Sequence, residues 1–324
     1  MKNRFLVILL VVDLAVLVLL LGQRQFSHLL LWDIRESFSR RELERPPEKA
    51  AEYFRFESRS DAEKVFDKTV TAVKESGLTA QVLGMAARIE GMEPSVLYGK
   101  KAGAPPIKWD SPEGLARQLK EGARGAHCLH RSIVLAEACA AAGIPARLWA
   151  LENRDFDGVP HTVIEAYDAA GAKWVFFDPQ LCFYALSGDA ALSLLDLRER
   201  LLNGKTEGLE FVRMDNGQSV PLMASVYRPM LRKVFLRSRN DFSRMYRDRY
   251  GFFRPLSCFI DPLPVPAVMG IYYLFSGDRF IHYVDRFDGR LRGRAKEVKA
   301  VFLLLTAVFF AGCAAFFALR KRRP

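Results

Sequence analysis

Residues 125–180 read GAHCLHRSIVLAEACAAAGIPARLWALENRDFDGVPHTVIEAYDAAGAKWVFFDPQ, and this stretch decides the fold because one helical pattern is followed in it by three strand patterns. From Cys128 to Ala142 the chain is rich in alanine, and apolar residues recur with helical spacing. Gly143 and Pro145 then provide the usual signals for the end of a helix. The sequence therefore predicts a helix that begins at Cys128.

Three runs of β-branched and aromatic residues follow this helix, and we interpret them as strands. They are Arg147 to Glu152, His161 to Tyr167 and Lys173 to Asp178. The last two form a hairpin about the Ala170-Gly171 turn, so residues at equal distances from the turn lie opposite each other. His161 then falls opposite a position between 178 and 180. The pattern predicts that His161 and Asp178 meet at one end of the sheet.

Cys128, His161 and Asp178 are thus candidates for a nucleophilic site. The first turn of a helix presents unpaired N–H groups and a partial positive charge, and both favour the thiolate, which is the nucleophilic form of cysteine. If the helix packs on the sheet with its N-terminus at the same end, the three side chains converge. Cys128 would then attack, His161 would take its proton, and Asp178 would fix the histidine tautomer.

This part of the chain resembles the core of the transglutaminase-like superfamily over about residues 110–185. The resemblance rests on AAGIPARLWAL after the predicted helix, HTVIEAY at the start of one strand and WVFFDP at the end of the next. The preceding SPEGLARQLKEGARGAHC is similar to the short helix and glycine-rich turn of that family, with Ser111 as N-cap and Pro112 as first helical residue. The chain departs from the family pattern at Ala126, where glycine is frequent, and at Val163, where an aromatic residue is frequent.

The resemblance implies a papain-like α+β fold, with a cysteine helix packed on an antiparallel sheet. It also implies a catalytic triad of Cys128, His161 and Asp178, and a peptide or protein amide as substrate, with no cofactor. The enzyme would be a cysteine peptidase or an amide acyl transferase. Relatives often use an upstream side chain to hold the oxyanion, which makes Trp109 a candidate, although a buried core tryptophan is the alternative.

Other interpretations of these residues stay open. Cys128 could be a small buried apolar residue, and His127, Cys128 and His130 could be metal ligands, but adjacent helical positions point to different faces. The five cysteines show no disulfide pattern. In place of an enzyme, the chain could be a catalytically silent scaffold that binds a peptide or glycan in a membrane assembly.

Two apolar runs, residues 5–21 and 301–319, predict two transmembrane helices. Lys2 and Arg4 before the first run and the four basic residues of the tail 320–324 after the second favour termini in the cytoplasm. Together with the resemblance, which implies a bacterial protein, this pattern predicts an inner-membrane protein whose catalytic domain, residues 108–186, is periplasmic or otherwise extracytoplasmic. Residues 22–107 form a helical connector in this scheme, with a capping box from Ser60 to Glu63 and a further helix from Leu78 to Glu90.

The region 187–300 is helical, basic and proline-rich in this prediction. A short helix spans Asp189 to Leu202, and the spacing of apolar residues from Tyr227 to Tyr250 predicts a basic amphipathic helix. In a chain of net charge +11, such a helix could bind anionic lipid, grip an acidic polymer or pack on the domain. No nucleic-acid recognition motif accompanies the charge, so a nucleic-acid partner is not expected.

Overall fold

A computed structural model describes residues 37–50, 54–66, 77–89, 111–123, 126–152, 161–220, 223–237, 239–244, 280–283 and 289–321, together with residues 11, 13 and 16. Most of these residues belong to one compact unit, 37–251 with 281–285. The helix 289–321 belongs to a second unit.

The compact unit is α+β, and its main element is a largely antiparallel sheet. The strands that the structure describes are β1 (Ser37–Phe38), β2 (Arg55–Phe56), β3 (Ala146–Glu152), β4 (His161–Asp168), β5 (Lys173–Asp178), β6 (Phe183–Ser187), β7 (Ala190–Ala191), β8 (Leu209–Arg213), β9 (Lys233–Arg237), β10 (Arg239–Asn240) and β11 (Phe280–Tyr283). The order in the main sheet is β1-β11-β9-β3-β4-β5-β6-β7, with β8 also paired to β6. Strands β2 and β10 form a separate parallel pair.

The hairpin of β4 and β5 has the predicted register. Ile164 pairs with Phe177 and Asp168 pairs with Lys173, so the centre of the hairpin lies between Ala170 and Gly171. The first residue of β4 and the last residue of β5 are therefore at the same end of the sheet, as the spacing of the two patterns predicted.

The helices of the compact unit pack around this sheet. They are α1 (Arg40–Leu43), α2 (Pro47–Ala50), α3 (Arg59–Ala62), α4 (Leu78–Arg88), α5 (Pro112–Lys120), α6 (Cys128–Ala141), α7 (Leu194–Leu202) and α8 (Met223–Met230). Helix α6 lies against β3 and β4 on one side and against α3, α4 and α5 on others. It is buried along nearly its whole length because it is surrounded in this way.

The ends of these helices follow from local hydrogen bonds. Ser111 caps α5 by accepting a hydrogen bond from the Gly114 N–H at 3.1 Å, as predicted. Helix α6 ends at Ala141, and Gly143 just beyond it has a φ of +80°, in the left-handed region that glycine adopts most easily. The cap of α3 differs from the prediction. Ser58, two residues before the predicted Ser60, accepts from the Asp61 N–H at 3.1 Å.

The predicted basic amphipathic helix from Tyr227 to Tyr250 is wrong. Helix α8 ends at Met230, just after Pro229, and the chain then enters strand β9, which pairs with β3 inside the sheet. Val234, Phe235 and Leu236 are all fully buried, because an interior strand is covered on both faces. Their spacing had fitted a helical stripe because three apolar residues in a row agree with either period. The predicted helix from Asp189 likewise begins later, at Leu194, after strand β7.

The prediction of two transmembrane helices is also wrong. The first run, 5–21, lies outside the described residues except at three positions, and the second lies within helix α9 (Gly289–Lys321). A membrane-spanning helix needs about 20 consecutive, predominantly apolar residues. Among the helices that the structure describes, none combines enough length with enough apolar character to cross a membrane. This finding contradicts the predicted second span, and with it the prediction of a two-span protein of the inner membrane with a periplasmic domain.

Candidate functional site

Cys128 is the first residue of helix α6, and its side chain is only 7% exposed. Two contacts with strand β4 hold this end of the helix in place. The Ser132 hydroxyl, one turn further along, donates to the Thr162 carbonyl at 3.0 Å, and the Thr162 N–H donates to the Cys128 sulfur. Because Thr162 follows His161 directly, these contacts bring the thiol next to the histidine.

His161 begins strand β4, and Asp178 ends strand β5. The His161 Nε2 and the Asp178 Oδ2 are 2.5 Å apart. The histidine side chain is 12% exposed, whereas the carboxylate is fully buried. A hydrogen bond also links His161 to Cys128, and with Nε2 engaged by the carboxylate, Nδ1 is the ring nitrogen left for the sulfur. The structure thus brings together all three residues that the sequence predicted.

Asp178 has hydrogen-bond donors on both of its carboxylate oxygens. Its Oδ1 accepts from the Gln180 and Leu181 N–H groups, each at 2.9 Å, in the turn that follows β5. Its Oδ2 accepts from His161 and also from the Tyr227 hydroxyl. The turn ends at Cys182, a non-glycine residue with φ of +64°, which is a strained conformation. The turn is therefore built around the carboxylate.

These contacts control the charges of the thiol and the imidazole. Burial by itself raises the pKa of Cys128, but hydrogen bonds to His127 and His161 and the charge of His161 outweigh it and lower this pKa to about 6. Burial lowers the pKa of His161, yet the charge and hydrogen bond of Asp178 raise it to about 10. Near neutral pH the pair is therefore a thiolate and an imidazolium.

Asp178 stays ionised although it is buried. Burial raises its pKa, but the charge of His161 and the hydrogen bonds from His161 and Tyr227 lower the pKa below its ordinary value. For Tyr227, burial and the neighbouring carboxylate raise the pKa well above the usual range. The hydroxyl therefore keeps its proton and acts as a donor.

Tyr227 is the member of this arrangement that the sequence did not reveal. It lies on helix α8 and is fully buried, with its ring stacked on Phe211 at 5.2 Å and edge-on to Phe176 at 5.7 Å. Tyr227 is 49 residues beyond Asp178, and no local motif marks it as a partner. Its place among the apolar positions of the predicted helix indicated burial alone.

His127 and His130 flank the nucleophile. His127 is exposed, and its side chain hydrogen-bonds to Cys128. His130 is buried, its Nδ1 accepts from the His127 N–H at 3.3 Å, and the two rings lie 4.0 Å apart. Burial, with a smaller effect of His127, lowers the pKa of His130 to about 4, so it is neutral at neutral pH. Among the described residues, no cluster of three His, Cys, Asp or Glu side chains has the arrangement of a metal site.

The remaining candidates have different outcomes. Trp109, the predicted oxyanion residue, lies outside the described residues. Cys139, on the same helix as Cys128, is fully buried, and burial raises the pKa of its thiol to about 12. Cys139 is therefore an inert core residue, in contrast to Cys128. The Cys182 thiol is nearly buried as well, and burial raises its pKa to about 11.

Chemically, this arrangement provides a nucleophile, an acid–base group and a carboxylate that orients it. The N–H groups in the first turn of α6 lie beside the nucleophile and are suited to a developing oxyanion. Comparison with protein-family models, with curated proteins and with solved structures finds no match for this chain. An assignment of function therefore depends on the site itself.

Proposed function

We propose that this protein is a thiol enzyme of transglutaminase-like type that acts on amide bonds in a peptide or protein. The observation that carries the proposal is the continuous hydrogen-bonded series from Cys128 through His161 to Asp178. A buried cysteine of purely structural role has a raised pKa, as Cys139 has, whereas the pKa of Cys128 is lowered to about 6. A catalytically silent scaffold requires no such difference in pKa between its two helix cysteines.

The reaction would proceed in two steps. The Cys128 sulfur attacks the amide carbonyl carbon, a C–S bond forms, and the C–N bond breaks as the His161 imidazolium gives its proton to the leaving amine. The resulting thioester is then attacked by water or by a second amine, and His161 takes the proton of that nucleophile. The thiolate and the imidazolium are restored at the end. With water as acceptor the enzyme is a peptidase, and with an amine it is an acyl transferase.

Asp178 contributes by fixing the orientation of His161. Its carboxylate accepts from Nε2, so Nδ1 faces the sulfur and carries the proton that is delivered to the leaving group. The carboxylate itself remains ionised throughout, because it is held by backbone N–H groups as well as by His161.

The test compares Cys128→Ala with Cys139→Ala, because both cysteines lie on α6 and differ in their contacts with the imidazole. At pH 7 a limiting amount of iodoacetamide should alkylate Cys128 in the wild-type protein, with Cys139 unmodified in the mass spectrum. Cys128→Ala should lose this product, together with any release or exchange of amine from a glutamine-containing protein substrate. In Cys139→Ala, the alkylation of Cys128 and the turnover of the amide substrate should stay within about twofold of the wild type.

Equal alkylation of the two cysteines in the folded protein would contradict the proposal. So would full turnover of the amide substrate by Cys128→Ala. The circular dichroism spectra of both variants should match that of the wild type. Each change removes only the thiol group, and alanine is favourable in a helix.

A further inference from the structure

Tyr227 donates its hydroxyl hydrogen to the same Asp178 oxygen, Oδ2, that accepts from His161. The tyrosine lies outside the triad stretch, and its ring has its own packing partners in Phe211 and Phe176. The ring also meets the His161 imidazole edge to face, at a centroid distance of 6.4 Å. The hydroxyl itself is bonded to the Asp178 carboxylate, so its effect on the imidazole passes through Asp178.

Two effects of the hydroxyl are conceivable, and they differ in sign. If the hydroxyl is needed to hold the carboxylate in place, its loss would lengthen the hydrogen bond between Asp178 and His161. The imidazolium would then lose its proton more easily. If the carboxylate is held by other groups, the hydroxyl mainly shares its negative charge. Loss of the hydroxyl would then make Asp178 stabilise the imidazolium more strongly. The contacts of the other oxygen decide between them.

The Oδ1 oxygen accepts from two backbone N–H groups, those of Gln180 and Leu181, at 2.9 Å each. These donors belong to the turn that directly follows Asp178, so they hold the carboxylate whether or not Tyr227 is present. Position is therefore secured at Oδ1, and the hydroxyl acts on charge at Oδ2. Strong donors on a carboxylate weaken it as an acceptor for any further proton.

We propose that Tyr227 is a positioning residue whose hydroxyl acts on His161 through Asp178: it takes part of the carboxylate charge and so limits how tightly the imidazolium proton is held. This inference rests on the proposed function, because the imidazolium must release that proton to the leaving amine. An imidazolium that is held too tightly is a poorer general acid. Tyr227 thereby tunes the acid step without touching the substrate.

The test is Tyr227→Phe, which keeps the stacked ring and removes only the hydroxyl. Tyr167→Phe is the matched control, because Tyr167 lies on the same strand as His161 but six residues away, about 20 Å along β4. The two measurements are the pH dependence of turnover and the titration of the His161 ring by NMR. Tyr227→Phe should move the upper pH limit of turnover, and the His161 titration with it, upward by about half to one unit. Turnover at pH 8 should fall about threefold to tenfold, and the control should match the wild type.

An unchanged or lowered His161 titration in folded Tyr227→Phe would overturn the inference. Site-specific 3-fluorotyrosine at position 227 provides a second measurement, because its phenol is a stronger donor and should move the same limit downward. Failure of the proposed function has a different signature: the wild-type His161 would titrate near its ordinary value and Cys128→Ala would keep its activity. If the wild-type His161 has the raised titration and Tyr227→Phe titrates identically, only the role of Tyr227 is contradicted.

Discussion

At the scale of single residues, the charge of Cys128 is set by its neighbours against the effect of its own burial. Cys139 lies on the same helix without such neighbours, and its pKa is raised to about 12 rather than lowered to about 6. The difference arises from three donors around the sulfur, which come from His127, His161 and the Thr162 backbone. Desolvation disfavours a thiolate, but several hydrogen bonds and a nearby positive charge together outweigh it.

The lowered pKa of Cys128 predicts how its reactivity depends on pH. Because the thiolate persists down to about pH 6, the rate of alkylation by iodoacetamide should rise with a midpoint near pH 6 instead of near pH 9. Turnover should have the same acid limit, and an alkaline limit near pH 10 where His161 loses its proton. The two limits belong to the pair of groups together.

Rates of alkylation, followed by mass spectrometry from pH 4 to pH 11, check this expectation. The control is His161→Gln, which removes one donor and the positive charge and should move the midpoint toward 9. A wild-type midpoint near 9 would show that the thiol is not paired with the imidazole.

At the scale of secondary-structure elements, strand β9 determines how the region after the triad is built. It pairs with β3 from Trp149↔Leu236 to Glu152↔Lys233. Strand β3 pairs on its other side with β4, which begins at His161. Helix α8, which carries Tyr227, comes immediately before it. Interior packing of β9 therefore also fixes the place at which Tyr227 reaches Asp178.

Phe235 gives a direct test of this packing, because it is fully buried in β9. Phe235→Ala should lower the free energy of unfolding by about 3–5 kcal/mol, the usual cost of removing a buried phenylalanine side chain. Urea denaturation measures the change. Arg232→Ala, at an exposed position next to the strand, should stay within about 0.5 kcal/mol of the wild type. Equal effects of the two substitutions would mean that β9 is not an interior strand.

At the scale of the whole compact unit, a buried ion pair joins distant parts of the chain. Arg147 on β3 and Glu165 on β4 are 2.6 Å apart and almost fully buried. The guanidinium also donates to the Leu43 carbonyl at 2.6 Å and lies over the Trp174 ring at 3.9 Å. The carboxylate accepts from the Trp149 indole and from the Leu194 N–H at the start of α7. One ion pair thus connects helix α1, the sheet and α7.

Removing one partner of this pair should be costly. Glu165→Ala leaves a buried guanidinium without its carboxylate, and we expect a loss of about 3–5 kcal/mol in the free energy of unfolding. Glu199→Ala is the matched control, since Glu199 pairs with Arg40 at the surface and should contribute at most about 1 kcal/mol. Chemical denaturation of both variants provides the measurement. A loss below 1 kcal/mol for Glu165→Ala would mean that the pair does not join these elements.

The sequence by itself determined helix α6 with Cys128 at its start, and the β4–β5 hairpin that places His161 and Asp178 at the same end of the sheet. These features depend on periodicity, on end signals such as Gly143 and on a turn centred at Ala170-Gly171, all of which act between residues close along the chain. The tertiary structure alone decided that Tyr227 donates to Asp178, and that the segment after it forms an interior strand rather than a basic helix. The physical reason is that hydrogen bonds between distant residues leave no local pattern, and that a short apolar run such as 234–236 fits a helix or a strand until a neighbouring strand pairs with it.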